Sequence, residues 1–178
     1  MVLALIPSLT VWGVMPLLPI VARDILHGDA GTYGWLTGAM GVGSIVGGLF
    51  VAAAHGMRHK GLLAVIGAAG TGLAITAVAY TESFQVALLF LLVMGAVSGI
   101  EATLTQSLVQ VLTPPEYQGR VASIFMLTWN FQPIGIILFG GIAQTQGVPF
   151  AFWLSGLAMA GAVLLLAIVR PKLARLKV

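Results

Sequence analysis

One short run inside an apolar stretch, "SGIEATLTQSLVQ", residues 98–110, gathers a glutamate, four hydroxyls and two glutamines. On a helix advancing about 100° per residue, Ser98, Glu101 and Thr105 share one face within roughly 60°. Gly95, Gly99, Thr103, Gln106 and Gln110 form a second face, roughly opposite. The glycines mark that second face for close packing, which leaves the Glu101 face to look into a cavity. A carboxyl flanked by hydroxyls can take up and release a proton, or hold a cation. The alternative is a protonated Glu101 hydrogen-bonded to a neighbouring helix. Glu101 with Thr105 is too thin a cluster for acid–base–nucleophile catalysis, so no enzyme activity is expected.

Other candidate cavity-lining residues are Thr10 and Trp12 near the start, and Asn130 and Gln132 beside Trp129. Asn130 and Gln132 point about 160° apart on one helix, so they cannot both face one cavity squarely. Each is equally suited to bridging helices. The three histidines, His27, His55 and His59, fall in predicted loops, and the chain has no cysteine. Neither a metal site nor a cofactor is expected, and no phosphate-binding loop ending in Lys-Ser/Thr is present.

The elements that must carry these residues follow from composition. Of 178 residues, 59% are hydrophobic and 7% charged, where a soluble domain averages about a quarter charged. Too little polar surface remains to coat a globule in water, so the chain is expected to be all-α and embedded in a lipid bilayer. The apolar runs are long and lack the alternation of barrel strands. They predict six transmembrane helices at about 2–22, 32–54, 61–80, 84–112, 120–143 and 149–169, forming one bundle over residues 1–169. A basic tail follows over 170–178. Short connections imply that consecutive helices are antiparallel neighbours.

Charge sets the expected orientation. Arg58, Lys60, Arg120, Arg170, Lys172, Arg175 and Lys177 make seven of the eight basic residues, and all fall on one predicted side. The positive-inside rule assigns that side, and both termini, to the cytoplasm of a multi-pass plasma (inner) membrane protein. The pI near 9.7 then reflects topology, and no nucleic-acid partner is expected. Tyr33, Trp35, Tyr80, Phe84, Phe150, Phe152 and Trp153 are expected at the outer interface. Glycine pairs at four-residue spacing (Gly34–Gly38, Gly43–Gly47, Gly95–Gly99) predict close helix contacts. Pro7, Pro16, Pro19 and Pro133 each remove a backbone hydrogen bond and open a carbonyl to another partner.

Three motifs carry a family resemblance. "LPIVARDILHGDAGTYGWLTGAMGVGSIVGG", residues 18–48, resembles the seventh and eighth helices of major facilitator superfamily transporters, in the branch of enterobactin and drug exporters. "AAAHGMRHKGLL", residues 52–63, resembles the basic loop between helices eight and nine. "LTPPEYQGRVASIF", residues 112–125, resembles the loop between helices ten and eleven.

The resemblance implies the C-terminal six-helix half of a 6+6 transporter, an antiporter coupling proton entry to efflux of amphipathic small molecules. Glu101 is the proton- or cation-coupling candidate. Arg58, Lys60, Gly119 and Arg120 would belong to the cytoplasmic gating loops. The family's loop has an aspartate before its basic residues, where this chain has Ala53, Ala54 and His55. The first helix begins at residue 2 without a polar flank, so the N-terminal half is expected upstream, or a second copy replaces it. The alternatives are a non-transporting scaffold and a truncated relic.

Overall fold

The computed structural model describes residues 2–53 and 60–169, and every regular element among them is helical. Five helical runs are long and apolar enough to cross a membrane: Leu5–Ile25, Ala30–Ala53, Phe84–Val111, Pro115–Gln146 and Val148–Leu166. The segment expected at 61–80 is also helical, with a shorter apolar stretch, Leu63–Val78.

The first run is a chain of short pieces rather than one rod. It comprises α1 (Val2–Leu9), α2 (Val11–Val14), a 3-10 turn (Met15–Leu17), α3 (Leu18–Ile20) and a π-helical turn (Val21–Ile25). Pro16 and Pro19 lack the N–H that would continue an α-helix, and the pitch changes around them. Then come α4 (Ala30–Ala53), α5 (Lys60–Val78) and α6 (Phe84–Leu112). The expected fifth helix is broken into α7 (Gln118–Trp129) and α8 (Gln132–Gln146), followed by α9 (Val148–Val169). The break falls at Asn130–Phe131, because Pro133 cannot donate to the carbonyl four residues before it. Gly147, with φ of 92°, ends α8 and turns the chain into α9.

Packing departs from the expectation that consecutive helices are neighbours. α4 and α5 pack mainly against α6 rather than against each other, and α5 also packs on α9. The N-terminal run reaches α6, α7, α8 and α9, and it touches α4 at its far end. It is the most enclosed of the five long runs. The core joins Val14, Leu18, Leu36, Ile75, Leu91 and Phe152 from five of these segments.

Glycine sets how near the helices come. A Cβ on Gly43 or Gly47 would fall on the backbone of Leu92 or Ala96, and one on Gly95 or Gly99 on the carbonyls of Met40 or Ser44. Thus α4 and α6 touch backbone to backbone. Gly72 and Gly156 bring α5 against α9 in the same way, and Gly13 and Gly135 bring α2 against α8. Gly34 and Gly38 have nothing within 4 Å of a built Cβ, so that pair makes no close helix crossing among the described residues.

Asp29 opens α4. Its Oδ1 accepts the Thr32 backbone N–H at 2.9 Å and the Thr32 hydroxyl at 3.1 Å. These bonds, the backbone one foremost, hold the Asp29 carboxyl below its ordinary value. Arg23 pairs with Asp24 at 2.6 Å, so the cation near that end of the bundle is neutralised by its neighbour. Among the expected interfacial aromatics, Tyr33, Trp35, Tyr80 and Phe150 are exposed. Phe152 is not: it is fully buried, projecting from α9 into the core. Trp153 is partly buried, its ring centroid 5.5 Å from that of Phe150.

Candidate functional site

Hydroxyl side chains in lipid-embedded helices are usually satisfied locally, by donating to a carbonyl three or four residues back. Thr10, Thr71, Thr76 and Ser98 all do so, to Ile6, Gly67, Gly72 and Gly95. Ser155 of α9 breaks the pattern, buried without a hydrogen-bond partner, and two further hydroxyls break it around one cavity. Thr105 donates to Oε1 of Glu101 at 3.2 Å, one turn along α6. Ser8 Oγ is buried without a hydrogen-bond partner.

Both line a cavity of about 200 Å³. From α6 come Met94, Ser98, Glu101, Ala102, Thr105 and Gln106. The N-terminal run supplies Pro7, Ser8, Val11 and Trp12. Met40 and Ser44 of α4, Thr71 of α5, Phe125 of α7 and Met159 of α9 complete the wall. Glu101 is 7% exposed. Gly67 of α5 lies behind it, where a built Cβ would come within 3.3 Å of the Glu101 Cβ. A larger residue at 67 would press on the carboxyl-bearing side chain.

Ser98, Glu101 and Thr105 thus stand together on the cavity wall, as does Trp12. Three other candidates lie elsewhere. Thr10 is buried but turned away, two residues round the helix from Ser8, its hydroxyl bonded to Ile6. Asn130 is exposed and caps α7 by donating to the Met126 carbonyl at 3.2 Å. Gln132 reaches across to α2 and donates to the Trp12 carbonyl at 3.2 Å. Each has a backbone partner outside the cavity, which accounts for its polarity.

Ser8 and Gln106 belong to the wall without having been singled out for it. Helical spacing puts Gln106 on the opposite face of α6, but the wall wraps far enough round the helix to include it. Ser8 carries no signal on its own helix, where it stands as one hydroxyl in an apolar run. Of the gating-loop candidates, Gly119 and Arg120 lie exposed in the first turn of α7, and Lys60 is the first residue of α5. Arg58 and the tail from Arg170 fall outside the described residues.

The arrangement is a single carboxyl with a hydroxyl partner, facing a mixed polar and apolar space assembled from six helical segments. It can exchange a proton or hold a cationic group. A family model described as MFS_3, transmembrane secretion effector, matches residues 1–177. Over 145 residues the chain is 27% identical to "Multidrug efflux pump Tap" of Mycolicibacterium fortuitum. That alignment covers 81% of this chain and 34% of the other. The chain therefore spans about a third of the length of this curated relative.

Proposed function

The chain belongs to the MFS_3 family of transmembrane secretion effectors, a family of major facilitator superfamily transporters, and from that we propose that it forms one six-helix half of a proton-coupled exporter of amphipathic small molecules. It is a multi-pass membrane protein. In this reading a second half covers the cavity side of the bundle, and rocking of the two halves exposes the site to each side in turn. Both termini and the loops bearing Arg58, Lys60, Gly119 and Arg120 face the cytoplasm of the plasma membrane. Glu101 carries the coupling proton. Membership of an exporter-like family and the likeness to a protein named as a multidrug efflux pump support the direction of transport.

One observation carries the reading: a buried glutamate in the middle of a long apolar helix, facing a partly open cavity with a hydroxyl as its hydrogen-bond partner. An acid at such depth costs about 2.5–3.5 kcal/mol to insert, so a leucine there would be more stable. The exposed apolar residues of α4 and of α7–α8, among them Ile45, Leu49, Phe50, Leu127 and Ile137, supply surface for lipid and for a second half.

The test is efflux from vesicles holding the complete two-half transporter under an imposed pH gradient. Glu101→Gln, which keeps shape and removes the exchangeable proton, is expected to abolish the gradient dependence. Efflux that still follows the gradient in that variant overturns Glu101 as carrier.

A further inference from the structure

α5 and α6 meet closely midway along their length and part towards the turn that joins them. A Cβ built on Gly67 would stand 3.3 Å from the Glu101 Cβ, and one on Gly70 3.2 Å from a methyl of Val97. Nearer the turn the same two helices become the walls of an open depression of about 570 Å³. Ala77, Val86 and Phe90 are its apolar walls, and Tyr80 and Glu82 stand at its rim. From Phe84 to Phe90 the α6 wall runs about 9 Å, at 1.5 Å per residue. Exposed Leu73 and Leu89 extend the apolar surface beyond it. Thr71, which lines the cavity at Glu101, points about 160° away from Leu73 round α5. The groove therefore lies on the far side of α5 from that cavity, and a second half covering the cavity leaves it to lipid.

The rim carries one charge, and nothing in the chain answers it. Glu82 is exposed and makes no ion pair or hydrogen bond among the described residues. The hydroxyls on either side of it are committed elsewhere, Thr81 to the Ala77 carbonyl at 2.9 Å and Ser83 to Oε1 of Gln85 at 3.0 Å. Arg23, at the same end of the bundle, is held by Asp24. A bare carboxylate above an apolar groove repels a headgroup of net negative charge and attracts one that carries a cation.

We propose that this groove binds one zwitterionic phospholipid, with its ammonium on Glu82 and an acyl chain laid along Val86 and Phe90. Tyr80 stands where a ring with one apolar body and one polar tip belongs, at the level of the headgroups. The walls would accept the chains of any phospholipid. An anionic head brings its charge against Glu82 with no cation of its own to offset it, so the carboxylate sets the choice of lipid. The site is separate from the cavity at Glu101 and does not depend on what that acid carries.

The chain has no cysteine, so a single Leu89→Cys can carry a fluorophore beside the groove without competing thiols. The labelled 178-residue chain is placed in nanodiscs of phosphatidylglycerol, and a small fraction of nitroxide-chain phosphatidylethanolamine or nitroxide-chain phosphatidylglycerol is added as quencher. The ethanolamine lipid is expected to quench more strongly by roughly fivefold at equal mole fraction, the factor that one charge near the headgroups carries. Phe150→Cys, exposed at the same end on α9, should show the two quenchers nearly equal. Glu82→Gln should bring the Leu89 ratio down to that of Phe150, and Glu82→Asp should keep it. Glu82 is exposed, so neither change disturbs the core. Equal quenching by both lipids at Leu89 overturns the proposal, as does a preference that survives Glu82→Gln or appears equally at Phe150. A fluorophore at Leu89 that neither lipid quenches would mean a groove closed to lipid, and overturns it too.

Discussion

The side-chain amide of Gln132 donates to the backbone carbonyl of Trp12 across 3.2 Å, four residues before Pro16, which has no N–H to bring to it. Four residues after Trp12 an ordinary helix would supply an N–H, and proline has none. In lipid no water stands in for it, so a neighbouring helix does. The bond ties α8 to α2 beside the Gly13–Gly135 crossing, where a built Cβ on Gly13 would lie 2.7 Å from the Gly135 Cα.

Gln132→Leu is therefore expected to lower thermal stability in detergent by about 1 kcal/mol, the scale of interhelical hydrogen bonds in membrane proteins. Pro16→Ala restores a backbone donor to Trp12. In that background the cost of Gln132→Leu should shrink, a coupling that a double-mutant cycle measures directly. Equal costs in both backgrounds would mean that the amide does not compensate for the proline.

Gly95→Val places a branched side chain on the Met40 carbonyl, where α4 and α6 meet. Overpacking of this kind costs about 1–3 kcal/mol or more. Gly34→Val, where a built Cβ meets nothing within 4 Å, should leave the chain's own melting temperature nearly unchanged. A pair of melting curves separates the two. Equal losses would show that Gly34 packs as closely as Gly95.

Thr105→Val removes the hydrogen bond to Glu101 while keeping side-chain shape, and Thr105→Ser retains the donor. Pump activity in the complete transporter is expected to fall several-fold in the valine variant and to stay near normal in the serine one. Matching rates for the two would show that the methyl group, not the hydroxyl, is what Glu101 needs.

Asp29 gives a pH prediction outside the membrane. Its carboxyl sits below the ordinary 3.8 because its charged form accepts the Thr32 bonds. A depressed carboxylate contributes stability above its unfolded value and loses it as pH falls through the folded one. Asp29→Ala should thus melt lower than the parent near neutrality, and the two curves should converge below about pH 3. A gap that persists in acid would assign the stabilisation to something other than the charged cap.

Helical spacing alone brought Ser98, Glu101 and Thr105 together, because all three lie on α6 and a single continuous helix obeys its own period. Residues on broken elements were harder to read. Thr10 and Asn130 sit at the edges of interruptions, where the angular count from a neighbour no longer says which way a side chain turns. Ser8 was illegible for a different reason: its place in the wall comes from α1 meeting α6, a contact made across more than 90 residues of chain. The division at Asn130–Phe131 is foreshadowed by Pro133, and the bond to the Trp12 carbonyl comes from Gln132 in the bridging role that its sequence position allows beside cavity lining. Glycine spacing flagged α4 against α6, and it equally flagged Gly34–Gly38, because sequence spacing does not say whether a partner is within reach.

The glycine crossings have a mechanical meaning. Helices that meet through side chains can slide, since rotamers re-sort as one ridge passes another. Helices that meet through bare backbone have nothing to re-sort. The chain is in effect three welded pairs, α4 with α6, α5 with α9, and α2 with α8. Each pair lends residues or a directly joined turn to the cavity around Glu101. The space there is therefore governed by a few hinge-like freedoms among stiff bodies, and a small rotation at one of them would resize the whole chamber at once.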